Sequence, residues 1–151
     1  MMKKNRPQRL PYEEFIKSFE KVPRLAINLL ITDKENSVLL TRRNIEPSKG
    51  CWHFPGSYLL KNELIVEAQK RIAEDELGLI LKQNKIKLLG VFEDLNGDPR
   101  GHVIDVMYGF KIDNKTKVKP TKETLEIKFF DKLPDDIGFN HRETLKKLGF
   151  R

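Results

Sequence analysis

Residues 52–79 read WHFPGSYLLKNELIVEAQKRIAEDELGL, and this stretch decides the fold. Leu64, Ile65, Ala68, Ile72 and Leu79 recur with helical periodicity. Asn62 is a suitable N-cap and Gly78 a natural left-handed terminator, which together predict a helix over 62–77. On that helix Asp75 and Glu76 are adjacent, and Arg71 stands four residues before Asp75, on the same face. Two adjacent carboxylates repel each other, and a hard divalent cation bound through oxygen relieves the repulsion. Mg²⁺ suits so small a cluster, because it keeps waters and takes one or two carboxylates together with substrate phosphates. On spacing alone, the alternative is a solvated charged face.

Outward from this helix the chain alternates between short apolar runs and turn material. Residues 12–21 place Phe15 and Phe19 four apart and predict a short amphipathic helix. Residues 25–31, LAINLLI, have strand length, 33–37 are a polar turn, and 37–43 predict the partner strand of a hairpin. Residues 44–50 form a loop, and Trp52–Phe54 lead into a turn at Pro55 and Gly56. Strands are predicted over 86–94, 102–112 and 124–130, with a turn-rich loop at 96–101. Asn140 with Glu143 three residues on reads as a variant capping box for a last helix, which Gly149 ends. The order helix, strands, helix, strands, helix is not a doubly wound alternation. It predicts an α+β fold in which a mixed sheet is packed between helices. No repeat or long linker divides the chain, so residues 1–151 are expected to form one domain with a flexible basic tail at 1–10.

Composition narrows the function classes. Apolar residues make up 38% and charged residues 34%, and no apolar run approaches the roughly 20 residues of a membrane helix. The basic N-terminus has no apolar stretch behind it, which argues against a secretory signal. Cys51 is the only cysteine, so an intrachain disulfide and a cysteine-rich zinc site are excluded, and a reducing cytoplasm is the simplest compartment. The formal net charge of +7 favours anionic partners. The cations are scattered and no helix-turn-helix or comparable module is present, which points to a small-molecule nucleotide rather than nucleic acid. The oligomeric state is open, with a homodimer one option.

The stretch 52–79 resembles the Nudix box, G-x5-E-x7-R-E-U-x-E-E-x-G-U with U aliphatic, in unbroken register. Ser57 stands at the first glycine, Glu63 at the first glutamate, Arg71 at the arginine, Asp75 and Glu76 at the paired acids, and Gly78 and Leu79 at the end. Trp52, Pro55 and Gly56 look like the lead-in W-x-x-P-G-G. The strand order is similar to the family's α/β/α sandwich. Three positions depart from the pattern: Ser57 replaces glycine, Asp75 replaces glutamate, and Ile72 stands where most members carry a glutamate that ligates metal or acts as base. The resemblance therefore implies fewer metal ions or weaker binding. An aliphatic residue after the arginine is also a feature of the GDP-mannose mannosyl hydrolase branch, whose loop and turn 39–56 follow without a gap.

That likeness implies Arg43 on the diphosphate and Mg²⁺ or Mn²⁺ at the Gly56 carbonyl and Glu76, with Asp75 and Glu123 as further ligand positions. It aligns Thr124 with the branch's histidine base, a role threonine cannot fill at neutral pH. The loop 97–103, GDPRGHV, looks like one in Nudix proteins that act on ADP-ribose. It brings in Arg100, for phosphate or for loop support, and His102 as a substrate contact or a structural residue. Glu123 and Glu76 are the catalytic candidates, Glu123 with a surface role as its alternative. The implied function is a Mg²⁺-dependent hydrolase of a nucleoside diphosphate linked to another group, such as ADP-ribose or a GDP-sugar. A nucleotide-binding protein that has lost turnover is the alternative, with Ile72 as the lesion.

Overall fold

A computed structural model describes residues 6–82, 85–113 and 115–151. Its elements are α1 (Tyr12–Ser18), β1 (Arg24–Thr32), β2 (Val38–Arg43), β3 (Trp52–His53), β4 (Gly56–Tyr58), α2 (Ile65–Leu77), β5 (Lys87–Asp94), β6 (Val103–Lys111), β7 (Thr124–Phe130) and α3 (His141–Lys147). The seven strands form one mixed sheet. β1 runs parallel to β6 along its whole length, from Arg24↔Val103 to Thr32↔Lys111, and β5 closes that edge antiparallel to β6.

β1 reads as a nearly continuous apolar run because both of its faces are covered. Ile27, Leu29 and Ile31 pack with Ala68, Ile72, Ala73 and Leu77 of α2. Leu30, on the other face, packs with Leu40, Trp52, Phe54, Met107 and Leu145 of α3. The sheet is thus sandwiched between helices, as expected. Full burial of Leu77 alone stabilises the fold by about 1.5–3 kcal/mol. Phe19, which follows α1, closes a third cluster with Ala26 and Val103.

Several local expectations change. The hairpin between β1 and β2 closes only at its turn, where Thr32 pairs with Val38 and the Asp33 carboxylate accepts the Glu35 and Ser37 amides. Beyond that turn the strands part, because β4 takes the β1 edge at Ala26–Asn28 and β7 pairs with β2. Helix α2 begins at Ile65, and its N-cap is Leu64 rather than Asn62. Asn62 has φ 65°, a left-handed conformation that asparagine tolerates, and the Glu67 carboxylate reaches back to the Leu64 amide at 2.9 Å. Gly78 ends α2 at φ 59°, as expected. Asn140 is the N-cap of α3, but its side chain makes no capping bond; its carbonyl accepts the Thr144 amide instead. Of the tail 1–10, residues 1–5 lie outside the described residues, while the Gln8 amide donates to the Lys61 carbonyl at 3.1 Å.

Candidate active site

A cavity of about 740 Å³ is lined by residues of α1, β1, β2, β4, α2 and β6 and of the loops around 98, 123 and 139. That volume is in the range of small-molecule sites. Glu76, on the last turn of α2 and only 6% exposed, lines the cavity. One carboxylate oxygen accepts the Gly56 amide at 3.0 Å. Burial pushes the Glu76 carboxyl up to about 8; the Gly56 amide opposes this, and the charge of Glu123 adds to it. Glycine is required at 56, because a Cβ there would lie 1.8 Å from the side-chain oxygen of Asn28. Glu123 is exposed at the rim, just before β7. Thr124 is buried, and its hydroxyl donates to the Glu76 carbonyl at 3.2 Å, a structural task.

Two carboxylates that repel across a cavity suit one divalent ion completed by water and substrate oxygens. Among the described residues no group of three or more His, Cys, Asp and Glu side chains is arranged to hold a metal by itself. Asp75 lines the cavity too, but its half-exposed carboxylate lies 3.6 Å from Arg9. Ile72 is 1% exposed and belongs to the core under β1, so the departure from the Nudix pattern is absorbed as packing.

The remaining box residues build the scaffold. Arg71 does not pair with Asp75. It donates bidentately to Glu63, at 2.6 and 2.9 Å, and to the Tyr58 carbonyl at 3.1 Å. Glu63 also accepts the Leu60 amide. Burial raises the Glu63 carboxyl, but these donors outweigh it and hold the group below its usual range. The clamp ties 58–63 to α2. Ser57 lies in β4 opposite Ile27, an extended position where a side chain is tolerated.

Arg43 reaches the cavity through an irregularity in β7, where pairing jumps from Arg42↔Glu126 to Arg43↔Thr124. Its Nε donates to the Pro47 carbonyl at 2.6 Å, and its guanidinium lies 5.0 Å over the Phe139 ring. Arg100 also lines the cavity, but its Nε and Nη2 are engaged by Asp98 at 2.9 and 2.8 Å, with the Tyr58 hydroxyl 3.2 Å from Nη2. These bonds support the loop that carries Arg100. His102 is not among the lining residues; its carbonyl accepts the Arg24 amide where β1 and β6 begin, and its Nε2 is buried without a partner among the described residues.

Other lining residues were not singled out from sequence. Asn28 donates to Asp105 at 2.6 Å, and burial raises the Asp105 carboxyl to about 6. An acid inside the apolar run 102–112 was the available signal. Tyr58 donates to Asp98 at 2.8 Å. His53 and His141 are buried beside Arg43, and both are shifted down, foremost by burial, His141 to about 3. Nothing local in the sequence distinguishes them from surface histidines.

A family model described as the NUDIX domain matches residues 22–148. An ADP-ribose pyrophosphatase of Methanocaldococcus jannaschii is 35% identical over 126 residues, covering 82% of this chain and 72% of the relative. A low-salt glycan biosynthesis protein of Haloferax volcanii is 30% identical over 129 residues, covering 82% of this chain and 80% of the relative. The Nudix domain of a Shewanella oneidensis protein, solved with ADP-ribose, superposes with a TM-score of 0.71 at 17% identity over 92% of this chain and 97% of that one, a likeness of fold.

Proposed function

Because this chain belongs to the Nudix family, we propose that it hydrolyses the diphosphate link of a nucleoside diphosphate sugar, ADP-ribose foremost, with Mg²⁺ or Mn²⁺ as cofactor. The observation that carries this reading is the buried Glu76 carboxylate, facing Glu123 and sharing its cavity with Arg43. Glu76, Glu123 and the Gly56 carbonyl are the oxygens that would hold the ion. When bound, the ion shields the diphosphate and lowers the pKa of a coordinated water.

The chain's own groups supply the rest. Arg43 binds diphosphate oxygens and keeps them in register with the acids. Glu123 accepts a proton as water attacks phosphorus, and the bond between that phosphorus and the bridging oxygen breaks. The Asp98–Arg100–Tyr58 set stiffens the wall against which the sugar or base rests. The similarity to an ADP-ribose pyrophosphatase supports ADP-ribose over a GDP-sugar. Attack at the sugar carbon loses support, because the Thr124 hydroxyl is engaged with the Glu76 carbonyl.

The test is a screen of nucleotide sugars, dinucleotides and nucleoside triphosphates with Mg²⁺ or Mn²⁺, with products separated chromatographically. AMP plus ribose 5-phosphate from ADP-ribose is the expected result. Free sugar plus nucleoside diphosphate would overturn attack at phosphorus. Binding of ADP-ribose without products would establish the second reading, favoured by Ile72, of a ligand-binding protein.

A further inference from the structure

We propose that His141 donates a hydrogen bond from a neutral Nε2–H to a diphosphate oxygen of the bound nucleotide, beside Arg43. This rests on the nucleotide site argued above and assigns a task to α3, an element to which neither the box nor the metal ligands belong.

The tautomer is fixed by the backbone. The Phe54 amide donates to His141 Nδ1 at 3.1 Å, inside the protein. A ring nitrogen that accepts carries no proton, so a neutral imidazole must hold its proton on Nε2. The ring is clamped in that orientation, 4.8 Å from Phe54 and 5.2 Å from Phe139, centroid to centroid. His141 is 7% exposed and lines the cavity, and among the described residues Nε2 has no hydrogen-bond partner. The ring is buried, but Nε2 is not among the sealed unpartnered atoms, so a ligand oxygen or water in the cavity can complete this donor.

The neighbours identify the acceptor. Phe139 is shared between His141 and the Arg43 guanidinium, which lies over the same ring. Arg43 is itself held by the Pro47 and Glu46 carbonyls, through Nε and Nη2, so its position is set before any ligand arrives. A fixed cation and a fixed neutral donor packed against the same Phe139 ring make a two-point site for an anionic oxygen group. The charged and titratable groups facing His141 are Arg43, His53 and Asp98. Burial and Arg43 oppose a proton on the ring more strongly than Asp98 favours one. The ring therefore stays neutral through the working pH range and serves as donor rather than as acid.

The experiment uses the full chain with wild-type, His141→Phe and His141→Gln proteins. Phenylalanine keeps the packing ring and removes both nitrogens, whereas glutamine can return an N–H near the Nε2 position. Expected is a loss of about 10- to 100-fold in kcat/KM for ADP-ribose in the phenylalanine variant, equal at every pH from 5.5 to 9, with partial recovery in the glutamine variant. A folded His141→Phe protein with wild-type kcat/KM would overturn the proposal. The second readout is ¹⁵N NMR of the wild type, which does not depend on a variant folding. The His141 proton should reside on Nε2 and its resonance should move on addition of the non-hydrolysable methylene analogue of ADP-ribose. A proton on Nδ1, or a resonance unmoved by saturating analogue, overturns the assignment even in a working hydrolase. A moving resonance in a protein that turns over no nucleotide keeps the donor and removes the hydrolase reading instead.

Discussion

At Glu76, burial disfavours the charge that the proposed metal binding would need. Glu76→Gln should therefore separate the two demands. It keeps an acceptor for the Gly56 amide and removes a buried carboxyl, so thermal stability in chelator should be unchanged or higher. Turnover with Mg²⁺ should fall by roughly 100-fold or more. Assays of melting and activity on the same preparation check this, and unchanged turnover would remove Glu76 from the metal site. Ile72 gives the opposite case. It is packed with Ala68, Ala73 and Leu77. Ile72→Glu would restore the usual box spacing but place a carboxylate largely in the core, at a cost on the order of 3 kcal/mol. A lower melting temperature in chelator is expected, and an unchanged one would mean that the carboxylate escapes into the cavity. The paired acids and Arg71 were legible because their spacing is local and the box is continuous. Asn28, Asp105 and His141 were not, since each acquires its role from a partner far along the chain.

Among the elements, the Arg71–Glu63 ion pair helps hold α2 to the 56–63 segment, alongside the Gly56–Glu76 bond. The Glu63 side chain is 2% exposed and that of Arg71 is 17% exposed. Arg71→Ala would leave a buried carboxylate without its partner, which costs about 3–5 kcal/mol. Arg71→Ala with Glu63→Gln in the same chain should recover part of that loss, as urea unfolding of the two single variants and the double variant would measure. Strictly additive losses would show that the pair is not coupled. The longer strands were readable from their apolar runs within a residue or two. β3 and β4 were read only as turn approaches, because two and three residues carry no periodicity and owe their pairing to β2 and β1. The start of α2 was misplaced for a related reason. Asn62 has the chemistry of a cap, but Glu63 is drawn inward by Arg71, and the helix waits until Ile65.

Over the whole molecule, the buried titratable groups set the response to acid. In the metal-free protein His53 and His141 stay neutral when folded but take protons below about 6.5 when unfolded. Alone they would make stability fall as the pH drops below about 6.5. Glu76 and Asp105, raised to about 8 and about 6, hold protons in the folded state that the unfolded chain has released, and so act in the opposite direction. The effects offset until the unfolded carboxyls also protonate. Melting temperature in chelator should therefore stay nearly level from about pH 6 to 4.5 and fall below that, where Asp98 and Glu63, held down by their arginines, add to the loss. A steady decline from about pH 6 to 4.5 would show Glu76 or Asp105 ionised. The parallel pairing of β1 with β6, which the sequence did not disclose, carries a consequence for biosynthesis. β1 leaves the ribosome well before its nine-residue partner, which begins only at Val103. Until β6 emerges, the nascent chain presents LAINLLI with one edge unsatisfied, a segment suited to chaperone capture or to pairing with another nascent chain. Ribosome-stalled chains that have exposed residues 1–101 should be protease-sensitive and bound by chaperone, and protection should appear abruptly once Lys111 has cleared the exit tunnel. Protection that grows steadily with length would mean that the N-terminal half folds without its parallel partner.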